Sequence, residues 1–348
     1  MNLFSLLFGK KTETTPATVE ELAKEPVMSQ PPPQEVDSSR WSDAHLKFLA
    51  GFLNGAEFKA DERSYWANVL GQAPAKVVQR LIDAGLLTPA PLSAKLESAF
   101  KATEIKALLK ERSLPVSGKK ADAVARLVEA DRARMEAKVA HITAYICTAS
   151  GRELAEGYLA REEERNRQAR ERSFELLRSG QLRQASSVVA EYERAQVFAR
   201  GVGVDWSQRP SPEDLQQLQA ILDARPAILK DVSSNDWSVL QQAAAMMELW
   251  GERSAREWLP AGFVGASNLD PETAVRMVLF AGGHRAKLEQ YRHAGCSRVE
   301  ISGCGEGSCP VCQKLCGKKY RVAQVPELPH PDCTHEMGCR CMILPVFD

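Results

Sequence analysis

Seven of the nine cysteines in this chain fall within the 38 residues from Cys304 to Cys341. Thiols crowded this closely need a role, and few folds can hold them. In "CPVCQKLCGKKY", Cys309 and Cys312 form a Cys-x-x-Cys knuckle, which presents two thiolates to one tetrahedral ion at about 2.3 Å. After 20 intervening residues come Cys333, Cys339 and Cys341, with His330 and His335 among them. A second pair of ligands from such a distant loop would close the site. The expected ligands are therefore Cys309 and Cys312 plus two from His330, Cys333, Cys339 and Cys341, and spacing alone does not choose among them. Cys296, Cys304 and Cys316 are spare or belong to a second, partial site. The ion expected is zinc in a structural role, because soft ligands are numerous enough to fill every position and leave none for water. A redox Cys-x-x-Cys would open a helix after a strand and leave the second cluster unexplained. Structural disulfides need an oxidising compartment. A nucleophilic cysteine paired with His330 or His335 has no supporting signature.

The rest of the composition points elsewhere. The 348 residues suffice for two or three domains and carry 45 basic against 45 acidic side chains, so any polyanion-binding surface must be a local patch. Ala, Leu, Arg, Glu and Gln dominate the middle of the chain, and the expected class is mainly α. "MNLFSLLFGKK" lacks the basic lead and cleavage site of a secretory signal. Its Phe4, Leu6, Leu7 and Phe8 read as a frayed terminus or as a weak interfacial anchor. No later run reaches the roughly 20 apolar residues of a membrane span. The expected location is cytoplasmic.

Five segments are expected. Residues 1–40 are rich in Pro, Thr, Ser and Glu and cannot offset their ordering entropy, so they read as a disordered tether. Residues 41–97 form a small helical segment, with Leu46, Leu49 and Leu53 on one face, Val77, Leu81 and Ile82 on another, and Gly85 as a stop. A helical hairpin occupies 98–131. Residues 132–295 form a helical scaffold, read as almost continuously helical in character from about Arg132 to Arg200, with a joint at Gly180. Further helices are expected at 212–224, 236–249 and 271–293, started by Ser211 or Pro212 and by Asp270-Pro271. That scaffold is a candidate surface for a protein partner. Residues 296–348 change texture to Gly, Pro, Cys and short strand-like runs, "SRVEIS", "KYRVAQV" and "CMILPVF".

The hairpin "FKATEIKALLKERSLPVSGKKADAVARLVEAD" is the most informative stretch. Thr103 is the expected N-cap. Ile105, Leu108, Leu109 and Leu114 make one apolar face, and Val124, Leu127 and Val128 make the next. Two such helices bury little alone and need a neighbour such as 92–100. From 95 to 134 there are ten Lys/Arg against six Asp/Glu. The basic residues are expected on the outside or at the turn, and the second helix's N–H groups, with Gly118, Lys119 and Lys120 beside them, form a phosphate seat. This stretch resembles the SAP domain, a helix–extended loop–helix module. The resemblance rests on Ile105, Leu108, Leu109, Arg112, Leu114, Gly118, Lys120, Arg126 and Leu127. Ser113 stands where that family usually has glycine, and Ala123 where leucine is common. The resemblance implies binding to double-stranded DNA, with Lys106, Lys110, Arg112, Gly118, Lys119, Lys120 and Arg126 as the candidate contacts.

The tail "CPVCQKLCGKKY…PELPHPDC…GCRC" is similar to the C-terminal segment of phage Mu-type head-morphogenesis proteins, through Leu315, Gly317, His330, Pro331, Cys339, Arg340 and Cys341. "DCTHEMG" is inserted relative to that pattern. The isolated His141, His284 and His293 and the four tryptophans from Trp206 to Trp258 read as packing. No catalytic residue is expected, and no Walker loop, dinucleotide fingerprint or Ser/His/Asp set is present. The sequence therefore predicts a non-enzymatic DNA-binding protein with a zinc-stabilised tail. A prophage head-morphogenesis-type structural protein and a DNA-processing enzyme with an appended SAP module are the alternatives.

Overall fold

The computed structural model describes residues 40–346 apart from residues 60, 62–64, 224, 265–267 and 306. The tether expected at 1–40 thus falls, up to residue 39, outside the described residues. Of the described residues 57% are helical, in 13 α-helices and short 3-10 turns, with a few short strands, and the chain forms two compact units that divide between Asn166 and Arg167. The five segments read from sequence are finer than this division. Among the described residues, no helix is long and apolar enough to cross a membrane.

The unit before the division contains α1 (Asp43–Ala50), α2 (Trp66–Leu70), α3 (Pro74–Asp83), α4 (Leu92–Ala99), α5 (Ala102–Lys110), α6 (Lys120–Ala130) and α7 (Arg132–Val139). α1 stops at Ala50, so Leu53 lies beyond it and is only half-buried. Gly85 follows α3 at φ +68°, a left-handed stop that glycine adopts at no steric cost. β1 (Ala56–Glu57), β2 (Leu87–Pro89) and β3 (Ala144–Cys147) form an antiparallel sheet in the order β1-β3-β2. β3 pairs Tyr145 with Ala56 and Cys147 with Leu87. This strand interrupts the stretch from Arg132 to Arg200 expected to be almost continuously helical. "AYIC" is stabilised by partners over 50 residues upstream in the chain, a non-local pairing that local composition does not encode.

Helix α4 supplies the neighbour that the hairpin needs, packing against both α6 and α7. Ile105, Leu109, Val124, Leu127 and Met135 are fully buried in one small core with Leu96 and Ala144. Ala123, in place of the usual leucine, is also buried there, at 4% exposure. α5 begins earlier than the sequence suggested. Lys101, not Thr103, is the cap residue, because the Glu104 carboxylate reaches back to accept the Lys101 N–H.

The long α8 (Ala149–Arg178) runs across the division. Beyond it come α9 (Leu182–Ala195), α10 (Pro212–Asp223), α11 (Ser234–Trp250) and α12 (Pro271–His293), with Gly180 at φ +74° in the α8–α9 joint. The start signals read for α10 and α12 are formed, and α11 has a serine cap of its own. Ser211 and Asp214 cap each other reciprocally, Ser233 accepts the Asp236 N–H at 3.1 Å, and Asp270 accepts the Thr273 N–H at 3.0 Å. α10, α11 and α12 pack on one another. β4 (Arg298–Ser302), β5 (Lys319–Arg321) and β6 (Met342–Val346) form a second antiparallel sheet, order β5-β4-β6, and a short helix, α13 (Pro310–Leu315), lies between β4 and β5. Val299, Ile301 and Ile343 are buried in the same core as Leu240, Met246 and Val275, so the cysteine-rich segment is packed on the helices of its unit. Each of these side chains contributes about 1.5–3 kcal/mol through burial, before entropy is counted.

The α10–α12 contact is close at Gly282. A Cβ added there would stand 2.4 Å from Ile221 Cγ1 and 2.8 Å from its Cα, whereas one added at Gly283 would meet nothing. Denaturant unfolding should therefore separate these neighbours by sign: Gly282→Ala destabilises by about 1–3 kcal/mol through overpacking. Gly283→Ala stabilises by up to about 1 kcal/mol through helix propensity. Equal effects of the two would contradict the packing described.

Candidate nucleic-acid interface and metal centre

The hairpin ends its first helix in a Schellman motif. Ser113 N–H donates to Lys110 O and Leu114 N–H to Leu109 O, both at 3.0 Å, with Ser113 in the left-handed region at φ +55°. This is the position where a glycine would be at ease, so the strain suggested by sequence is present in the backbone. Leu114 then folds back against the hairpin core.

The seven candidate contacts fall into two groups. Lys106, Lys110 and Lys119 are exposed. Arg112 is the exception to the expectation that the basic residues stand outside: its side chain is only 11% exposed. Nη1 donates to Leu108 O at 2.9 Å and Nη2 to Asp131 Oδ2 at 3.3 Å, which ties the end of α5 to the end of α6. Arg126 turns back on the loop, donating to Pro115 O and Ser117 O, and donates within α6 to Asp122 O. Lys120 Nζ donates to Glu97 O on α4. These three cations thus hold the hairpin together, and their charge is partly spent on the protein itself. Gly118 sits at φ +102° in the turn. The N-terminus of α6 already has an acceptor, since Asp122 takes the Lys119 N–H at 3.2 Å. A phosphate approaching this seat would meet that carboxylate beside Lys119.

Residues 98–132 match the SAP domain family model. The match coincides with the hairpin and its flanking turns. No curated protein and no solved structure matches the chain. The similarity of the tail to phage head-morphogenesis proteins has no support in these comparisons.

The second site lies in the other compact unit. Cys309 caps α13 and Cys312 sits in its first turn; Cys333 comes from the loop before β6, and Cys339 and Cys341 immediately precede that strand. All nine cysteines are free thiols. The Sγ–Sγ distances are 3.7 Å for Cys309–Cys333, 3.7 Å for Cys312–Cys333 and 3.8 Å for Cys312–Cys339. Disulfide sulfurs would lie about 2.05 Å apart. Around a central ion with metal–sulfur bonds of about 2.3 Å, by contrast, tetrahedral neighbours are about 3.8 Å apart. Cys309, Cys312 and Cys333 form one group with metal-ligating spacing, and Cys312, Cys339 and Cys341 form another. The cluster can hold a metal ion.

Hydrogen bonds favour thiolates at Cys309 and Cys339, whereas burial pushes the Cys312 and Cys333 thiols up. Burial pushes the Cys309 thiol up, but the N–H groups of Cys312 and Thr334 and the thiols of Cys312 and Cys333 outweigh it, and the result is a pKa lowered to about 7. The Cys341 thiol donating to Cys339, helped by N–H groups of His330 and Cys341, brings Cys339 down to about 5 against the effect of burial. Cys341 is correspondingly pushed up by that bond and by burial. Buried anions held by N–H donors and close to one another need a cation between them.

His330 lies outside both groups as a ligand. Its Nδ1 accepts the Asp332 N–H at 3.1 Å, and it serves Cys339 through its backbone. His335 likewise accepts the Met337 N–H and contacts Arg340. One contributor gave no sequence signal. Met277 on α12 accepts the Cys339 N–H through Sδ at 3.2 Å and leaves room for nothing larger than glycine at 338. Only the folded chain brings these residues together.

Replacing Ser113 by Gly should raise the stability of the unit containing the hairpin by about 1 kcal/mol, read by denaturant unfolding, because it relieves a left-handed side chain. A loss of stability would contradict the Schellman geometry. A strong thiophilic chelator should abolish amide protection in β4, β5 and β6 and leave protection in α5 and α6 unchanged. Hydrogen exchange measured with and without chelator checks this.

Proposed function

We propose that the chain is a non-enzymatic binder of double-stranded DNA, which it grips through the SAP hairpin, and that a structural zinc ion stabilises its tail. The match of residues 98–132 to the SAP model carries the reading of the partner. The exposure of Lys106, Lys110 and Lys119 supports a contact with backbone phosphates. Arg112 and Arg126 act on binding indirectly, by fixing the ends of the helices and the turn from which those lysines project. Lys120, tied to Glu97 O, is a secondary contact.

Zinc is the ion that suits the tail. Its preference for four thiolates in a tetrahedron agrees with sulfur separations of 3.7 to 3.8 Å. The proposed ligands are Cys309, Cys312, Cys333 and one of Cys339 and Cys341. With every position filled by sulfur, the ion is structural and does not activate water.

Three lysines neutralising about three phosphates give a slope near −3 for log affinity against log salt concentration. Fluorescence anisotropy on a labelled duplex should return that slope for the full chain. For the Lys106→Ala/Lys119→Ala variant it should return a slope near −1, since each phosphate contact contributes about one. An unchanged slope would rule these lysines out as phosphate contacts.

A further inference from the structure

The sheet of β4, β5 and β6 has one face in the core, through Val299, Ile301 and Ile343, and one face turned outward. Successive side chains of a strand alternate between the two. The outward set is therefore Arg298 and Glu300 on β4, Lys319 and Arg321 on β5, and Met342 and Leu344 on β6. The register sets Arg298 opposite Arg321, and Glu300 opposite Lys319 on one side and Leu344 on the other. Glu300 is half-buried and the other five are exposed, Met342 at 49% and Leu344 at 45%.

This face is unfavourable for the chain alone. Like charges directly opposite each other destabilise a sheet. Among the described residues, no ion pair joins Arg298, Lys319 or Arg321 to a carboxylate. Residues 307–326 contain four Lys/Arg and no Asp or Glu, so the chain around β5 supplies no acid either. Cations on an edge strand keep it from pairing with another chain. That accounts for Lys319 and Arg321 on β5, but Arg298 lies on the central strand, which has no free edge. Three cations thus face one carboxylate, and two large apolar side chains lie open on the opposite edge.

We propose that this face docks an acidic amphipathic helix of a partner protein. Neighbouring strands lie about 4.8 Å apart, so β5 and β6 stand about 10 Å from each other across β4. An α-helix is about 10–12 Å wide with its side chains, so one helix lying along β4 covers both edges. Carboxylates on one flank of that helix meet Arg298, Lys319 and Arg321. Apolar side chains on its other flank cover Met342 and Leu344. The surplus of positive charge selects an acidic partner, and the apolar edge, for which a phosphate backbone has no counterpart, selects a protein. The surface belongs to the other compact unit from the SAP hairpin and concerns a different partner.

The test is fluorescence anisotropy of two labelled synthetic helical peptides titrated with the full chain. One carries Leu along one flank and Glu along the other, and its copy carries Lys in place of Glu. The acidic peptide should bind about tenfold or more tightly than the basic one, and its affinity should fall as salt is raised. Arg298→Glu/Arg321→Glu should weaken the acidic peptide by about tenfold or more. Leu344→Ser, which leaves the charges in place, should weaken it by about threefold. Both variants should keep the wild-type helical signal and the wild-type affinity for duplex DNA. Equal binding of the two peptides, or undiminished binding of the acidic peptide to the charge-reversed variant, overturns the proposal. A charge-reversed variant that folds but loses affinity for duplex assigns the face to DNA and overturns it as well.

Discussion

Thiolates gathered in a protein interior repel one another, and what holds them must be positive. The metal centre proposed for the tail answers that constraint. Cys309, Cys312, Cys339 and Cys341 are all under 8% exposed, and the Cys309–Cys333, Cys312–Cys333 and Cys312–Cys339 sulfur pairs stand at tetrahedral separations. The surrounding chain is arranged to allow this. Cys309 caps a short helix whose Cys312 N–H faces its sulfur, Gly338 lets the loop lie against Met277, and Cys339 and Cys341 are buried just ahead of β6, the strand that pairs with β4. As thiolates with no cation between them, these groups would cost far more to bury than the small sheet returns, which is why a metal centre is proposed here.

In the other compact unit, charge serves a different purpose. The hairpin is basic in sequence, but its arginines are used internally. Arg112 closes the ends of α5 and α6 onto each other, and Arg126 pins the turn to α6. Such bonds compensate for a hairpin core thinned by Ala123 and for a turn strained at Ser113. What remains for a partner is a smaller set of exposed lysines on a rigid frame. A frame of this kind favours phosphate contact, because ordering the frame costs nothing at the moment of binding.

Much of this was legible in the sequence where the signal is local. The knuckle at Cys309 and Cys312, the starts of α10 and α12, the stops at Gly85 and Gly180, the apolar faces of the hairpin and the strained position at Ser113 all depend on residues within one or two turns. What escaped was non-local. β3 is a strand because β1 and β2 flank it, not because "AYIC" dictates one. Arg112 looks like a surface cation until Asp131, 19 residues away, is folded beside it. His330, a candidate ligand by spacing, falls in neither group with ligating spacing, because that grouping depends on how the loops fold together. Residue type and spacing identify which atoms can bind a metal, whereas their orientation is decided by packing.

The central claim is that the sulfurs of the tail surround a metal ion. X-ray absorption at the zinc edge, on the full chain purified under reductant, tests it most directly. The account predicts nearest neighbours that are all sulfur, at about 2.3 Å. Nitrogen or oxygen among the nearest neighbours, or a tail whose sulfurs are oxidised in pairs and free of zinc, would contradict it.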